Sequence, residues 1–325
     1  MAVSSLKYPK TPYHARSISL PSRSNPLTLP VEEQLYRLRT SSSDEVISSS
    51  SAPLTSLSSL FDNLSGLNVL YDCVDDLFQS PITHRALAQE KCDKCVNDVL
   101  DGSLALLDTC STTRDVLLQM KECIQDLQSS LRRKSRRRDG EFGLLENEVE
   151  NYMNSRRKVT KAIQKCLRDL KRMENRRAFP TLFEKDQNLV AIISVLREVE
   201  WITLSTFEAL FSTLLSGSKA QSSSKPAIKG WSLVSKLMHI RCGETNNKGE
   251  EAADMCEIEE VDIALNTLII SCKYNSIEVI VHNVQNVQKG LEALELSIHR
   301  LEDELELVFK SLIKARVSLL NILSN

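Results

Sequence analysis

Cys92 and Cys95 stand three apart in KCDKC, a spacing that sets two thiols on one helical turn. A tetrahedral zinc site needs four ligands, and the nearest further candidates, His84 and Cys110, fall at no recognised zinc spacing. The pair is expected to be incidental, with no metal and no cofactor bound. Glu295 and His299 share a helical face at i, i+4, but a carboxylate-bridged dimetal site needs several such pairs. A glycine-rich phosphate loop, a Gly-x-Ser-x-Gly elbow and an HExxH helix are all missing from the sequence. No catalytic residue is nominated, and the chain is expected not to be an enzyme. A site assembled from distant residues is the less favoured alternative.

Two other stretches carry charge chemistry. Arg16-Ser17-Ile18-Ser19-Leu20-Pro21 sets a basic residue three before Ser19 and a proline two after it. That arrangement fits a basophilic kinase first and a 14-3-3 dimer second: a phosphate supplies about −2 charge for the reader's arginines, and Pro21 turns the chain out of the groove. The bland alternative is an ordinary tail with incidental serines. Arg132, Arg133, Lys134, Arg136, Arg137 and Arg138 surround Ser135, six cations in seven residues. They could serve nuclear import, an anionic lipid surface or phosphorylation of Ser135. The reading preferred here is a solvated helix-to-helix connection whose arginines suit the end of the preceding helix.

The elements that must position these residues are helical. Across 325 residues there are only nine Gly and nine Pro, with 5% aromatics, 42% apolar and 26% charged residues. That balance favours helix over sheet and suits a chain with a real core. No uncharged apolar run nears the roughly 18 residues that cross a bilayer, and MAVSSLKYPK has no apolar signal core. Neither a myristoylation start nor a prenylation box is coded. A non-secreted chain is expected, cytoplasmic, with the nucleus or a membrane surface as alternatives; its nine cysteines then read as reduced thiols.

Net charge is −2, unevenly spread. Ser129 to Arg177 holds 16 Lys/Arg against 7 Asp/Glu, and Glu244 to Val308 holds 15 acidic against 4 basic residues. Such a chain is expected to neutralise itself rather than bind nucleic acid. Arg156, Lys161, Lys165, Arg168 and Arg172 are expected to face Glu292, Glu295, Glu302 and Glu306 across antiparallel helices. The basic helix has no interleaved aromatics of the kind nucleic-acid readers use.

Five prolines within residues 1–30 exclude a stable helix there. Residues 1–56 are expected to be a disordered Ser/Pro-rich arm with a short helix near 31–39. Residues 57–325 are expected to form the bundle domain, with loops near 132–142, 216–230 and 239–257. Leu57, Leu60, Leu64, Leu67, Tyr71, Val74 and Phe78 step by threes and fours along one helical face. Ser80-Pro81 opens a helix to about Leu100, with a kink at Asp101-Gly102 and a re-cap at Ser111-Thr112. It resumes through Leu104, Leu107, Leu117, Met120, Ile124, Leu127 and Leu131. Leu145, Val149, Tyr152, Val159, Ile163, Cys166, Leu170 and Met173 form the next stripe, with Arg156 in its one polar slot. A helix from about Phe183 to Leu215 follows, and Trp231–Met238 reads as a short apolar helix.

The strongest periodicity lies at the end: Val284, Val287, Leu291, Leu294, Ile298, Leu301, Leu305, Val308, Leu312, Ala315, Leu319 and Ile322 keep an unbroken heptad seam. One helix from Ile277 to Ser324 extends about 70 Å and must pair along its length. The fold class is therefore all-α, an elongated antiparallel helical bundle with a long C-terminal helix.

Several strings are more individual than heptads. YHARSISLPSRSNPLTLPVEEQLYRLR, GLNVLYDCVDDLFQSPITHRAL, DGSLALLDTCSTTRDVLLQMKECIQDLQSSLRR, WSLVSKLM and ARVSLLNILSN resemble a plant-specific, Bypass-like family of helical proteins of unknown function. The resemblance spans nearly the whole chain and carries over no catalytic residue. Cys95 stands where the family pattern has Trp, which weakens a shared metal site. It implies a non-enzymatic regulatory or adaptor role in root and shoot development, with proteins as partners. A peripheral membrane or trafficking-associated bundle is the alternative.

Overall fold

A computed structural model describes residues 25–43, 57–89, 94–135, 143–175, 186–216, 257–274 and 277–324. These residues form eight helices: α1 (Leu29–Ser43), α2 (Leu57–Gln79), α3 (Pro81–Gln89), α4 (Lys94–Ser135), α5 (Gly143–Asn175), α6 (Gln187–Ser216), α7 (Glu257–Tyr274) and α8 (Ile277–Ser324). There is no strand among the described residues.

Local chemistry explains several boundaries. The Ser80 amide closes the end of α2 on the Leu77 carbonyl, while its own carbonyl accepts from the His84 amide in the first turn of α3. Pro81 follows at a position where no amide is needed. Asp186 caps α6, its carboxylate accepting from the Asn188 amide at 3.2 Å. At α1 the Thr28 carbonyl accepts from the Glu32 amide and the Thr28 hydroxyl donates to the Glu32 carboxylate at 2.6 Å.

The antiparallel pair α4 and α8 forms the spine. At 1.5 Å per residue their 42 and 48 residues run about 63 and 72 Å. Around this spine are two four-helix sections. In one, α8 packs on α2, α2 on α6, and α6 back on α4; in the other, α8 packs on α7, α7 on α5, and α5 back on α4. The second section alternates direction at every contact. In the first, α2 runs parallel to α8, because Phe61 meets Arg300 and Asp75 meets Lys314. There α4 also runs parallel to α6, because Asp98 meets Arg197 and Gly102 meets Glu200.

The apolar stripes lie where their periods place them. All twelve seam residues of α8 are buried, as are all seven of the α2 stripe. Leu189, Ile192, Leu196, Val199, Leu210 and Leu214 of α6 join the same continuous core. Twelve such side chains at roughly 1.5–3 kcal/mol each supply on the order of 20–30 kcal/mol gross, most of it offset by chain entropy.

Four expectations need correction. No break occurs at Asp101-Gly102 or Ser111-Thr112, since α4 runs through both. Gly102 instead permits a close approach: a Cβ there would lie 2.8 Å from the Glu200 carboxyl carbon on α6. Thr112 bonds back to the Asp108 carbonyl at 2.8 Å and so stays inside the helix. Leu104, placed in the core stripe, is 46% exposed. Residues 132–135, expected in a connection, belong to the end of α4. The helix near 31–39 runs from Leu29 to Ser43 and is part of the bundle, burying Val31, Leu35 and Leu38 against α2 and α6. Gly66 of α2 makes room for it, since a Cβ there would lie 2.5 Å from Leu38 Cδ2.

Candidate functional site

Polar side chains inside the bundle are few and mostly partnered. Arg156 of α5 forms an ion pair with Asp262 of α7, and both side chains are buried. Burial raises the Asp262 carboxyl to about 6 while Arg156 pulls it down. Burial likewise raises the neighbouring Tyr152 phenol, against the pull of Arg156. This arrangement neutralises charge and sets how α5 meets α7. In the other section the Tyr71 hydroxyl lies 3.0 Å from Thr203 Oγ1, which itself donates to the Val199 carbonyl, so Tyr71 is the donor. Arg316 donates to the Leu100 carbonyl and to Ser103 Oγ, tying α8 to α4.

The α4–α8 seam is edged by a charge ladder. Arg114 pairs with Glu306 at 2.7 Å, Lys121 with Glu302 at 2.7 Å, and Arg132 with Glu292 at 3.3 Å. Gln125 and Gln128 both donate to the Glu295 carboxylate. The acidic residues of α8 are thus met by α4, and the expected pairing with α5 is overturned: Arg156 goes to Asp262 and Arg172 to Asp169 on its own helix. The cause is topological, since it is α4, and not α5, that lies along α8 beside those carboxylates.

His299 and Glu295 line a surface groove of about 420 Å³ with Lys121, Glu292 and Leu296. His299 Nδ1 sits 3.5 Å from Glu302, and Glu295 is already bound by two amides, so the pair is structural edging. A second cleft, of about 200 Å³, holds Asp108, Thr109, Thr112, Cys166 and Asp169. Burial and the Asp169 charge raise the Cys166 thiol, which keeps it protonated and a poor nucleophile. Cys110 is pushed up to about 12 by burial, with its thiol directed at the Leu305 carbonyl. Cys95 is buried in the core cluster, and Cys92 lies outside the described residues. Among the described residues no group of three or more His, Cys, Asp or Glu is placed to hold a metal ion. No helix among them is long and apolar enough to cross a membrane.

Of the basic run, Arg132 and Arg133 occupy the last turn of α4, where Arg132 reaches Glu292 and Arg133 donates to Ser130. Lys134 and Ser135 continue the helix, and Arg136, Arg137 and Arg138 lie outside the described residues. So do Arg16, Ser17, Ser19 and Pro21, together with Trp231–Met238. One feature of α5 is more extensive than its sequence spacing alone conveys. Arg157, Lys158, Lys161, Lys165, Arg168, Lys171 and Arg172 are all exposed on one side of that helix. Among the described residues Arg157 bonds to Asn154 and Arg172 to Asp169, both local. The other five have no ion-pair partner among the described residues.

No curated protein and no solved structure matches the chain. A family model described as Protein BPS1 matches residues 63–322. The match begins in the second turn of α2, ends in the last turn of α8 and so takes in both four-helix sections. On that span, and in agreement with the Bypass-like strings of the sequence, the chain belongs to the Protein BPS1 family.

Proposed function

We propose that this chain is a non-enzymatic plant regulatory or adaptor protein that acts in root and shoot development by binding other proteins. The observation that supports this most is the burial of the α8 seam by α2, α4 and α7 of the same chain. A long rod with its apolar faces satisfied internally offers its outer surface, and that surface is where partners engage. The two clefts supply no activated nucleophile and no assembled acid–base pair, which favours binding over catalysis. The developmental process comes from the family.

In this reading the arm carries a docking sequence: phosphorylated Ser19, followed by Pro21 and preceded by Arg16, recruits a 14-3-3 dimer. Affinity purification of the tagged chain from plant tissue, with and without phosphatase treatment, tests it by mass spectrometry. Phosphatase-sensitive recovery of a 14-3-3 protein, abolished by Ser19→Ala, is the expected result. Recovery unchanged by Ser19→Ala would remove this docking role.

The exposed cations of α5 favour a second reading, a rod lying on an anionic membrane. Flotation with vesicles containing or lacking anionic lipid separates the two readings.

A further inference from the structure

The cations on the outer side of α5 raise a physical problem. Lys158, Lys161, Lys165, Arg168 and Lys171 follow one another at steps of three or four, so they stack along one ridge. Like charges at that spacing repel each other in an isolated helix. Asp169 is the one acidic residue between Arg157 and Arg172, and it is taken by Arg172. Between Arg157 and Arg172 the ridge is thus left with no acidic residue of its own helix to pair with.

Two contacts fix what lies beside it. Asp262 of α7 pairs with Arg156, and Lys273 of α7 pairs with Glu146 at 2.9 Å, so α7 runs antiparallel to α5. Glu257, five residues before Asp262, is then level with Lys161, five residues after Arg156. The first residue of α7 therefore lies level with the middle of the ridge, which continues beyond that point to Lys165, Arg168 and Lys171. The chain that enters α7 is GETNNKGEEAADMC, with Glu244, Glu250, Glu251 and Asp254 against a single Lys248. Three more carboxylates, Glu257, Glu259 and Glu260, occupy the first turn of α7 itself. The other end of the 217–256 stretch leaves α6, which also packs on α5.

We propose that the acidic segment 244–256 docks along the cationic ridge of α5 in the same molecule. Length permits it: Lys161 to Lys171 spans about 15 Å along the helix, and thirteen residues reach up to about 43 Å when extended. Tethering beside the ridge gives the segment a high effective concentration, which a free polyanion must overcome. The ridge also has no exposed aromatic or aliphatic side chain among its cations that would stack a base or enter a bilayer. Flexible lysines facing a run of carboxylates suit an adaptable salt-sensitive contact rather than a shaped pocket.

Zero-length carbodiimide cross-linking of the full chain, followed by peptide mass spectrometry of the monomer fraction, tests the proposal. The pairs Lys121–Glu302 and Lys273–Glu146, at 2.7 and 2.9 Å, are internal controls that must cross-link in the same sample. Expected are links from Lys158, Lys161, Lys165 or Lys171 to Glu244, Glu250, Glu251 or Asp254, weakened by high salt. A variant carrying Glu244→Gln, Glu250→Gln, Glu251→Gln and Asp254→Asn should keep its helical circular dichroism. It should also gain at least about tenfold in binding to vesicles with a quarter phosphatidylserine, about 1 kcal/mol for each lysine or arginine set free. Control links without ridge-to-segment links overturn the proposal. So do ridge links found only in dimers, and equal vesicle binding by the wild-type and variant chains.

Discussion

Arg156 of α5 and Asp262 of α7 form an ion pair in the bundle interior, their side chains only 9% and 8% exposed. Each interrupts an apolar stripe, and each supplies the countercharge that the other needs away from water. Such a pair adds little net stability compared with apolar packing, but an orphaned partner is costly. Arg156→Met or Asp262→Leu alone should destabilise the chain by about 3–5 kcal/mol. The double substitution should recover most of that loss. Equilibrium denaturation of the four chains forms the cycle; additive single losses would show that the pair does not act as a unit.

Asp75 gives a pH-dependent contribution at the α2–α8 contact. Burial raises its carboxyl, but Lys314 at 3.0 Å, Gln79 at 2.7 Å and Ser318 at 3.2 Å outweigh it, and the net direction is downward from 3.8. A carboxyl held lower in the folded chain stabilises it above the unfolded value and loses that contribution as pH falls through the folded one. Asp75→Asn should cost about 1–2 kcal/mol at neutral pH. Below pH 3.8 the two chains should converge. Denaturant midpoints measured from pH 7 down to pH 3 check this, and a gap that stays constant with pH would contradict it.

The phase of the α8 seam can be tested with two leucines on one helix. Leu301 is fully buried and Leu307 is 49% exposed. Leu301→Asp places a carboxylate among apolar neighbours and should unfold the bundle. Leu307→Asp should change stability by less than about 0.5 kcal/mol. Circular dichroism melts of both report the result, and comparable losses would mean the seam is out of phase.

Gly66 sets how close α1 comes to α2. Gly66→Val should lift α1 by forcing its side chain into Leu38, exposing the Leu35 surface and lowering stability by about 1–3 kcal/mol. Adding Leu38→Ala should restore part of the contact by opening the space that valine needs. Amide exchange across 29–43 measures docking directly, and unchanged protection in Gly66→Val would disprove the close approach.

Periodicity revealed which faces of α2 and α8 are buried, because a step of 3.6 residues is a local property. The twelve α8 positions and the seven of α2 follow from it. Pairing is a property of the whole chain, and there the charge pattern misled. The basic excess of α5 and the acidic excess of α8 invited a direct match, yet α4 carries the matching ladder at Arg114, Lys121, Gln125, Gln128 and Arg132. Those residues step by seven, four, three and four along the edge of the α4 stripe, a signal available in the sequence. Asp262 was discoverable in the same way, as the polar intrusion among Ile258, Val261, Leu265 and Leu268. Gly102 looked like a helix breaker because a glycine's sequence context does not show that a neighbouring helix presses on it.

Both four-helix sections borrow the same two long helices. Neither owns a complete set of walls, so the rod has no seam at which a cut would leave two self-sufficient halves. Truncation before α8 strips a wall from both sections at once. Removing either long helix should therefore cost both sections together.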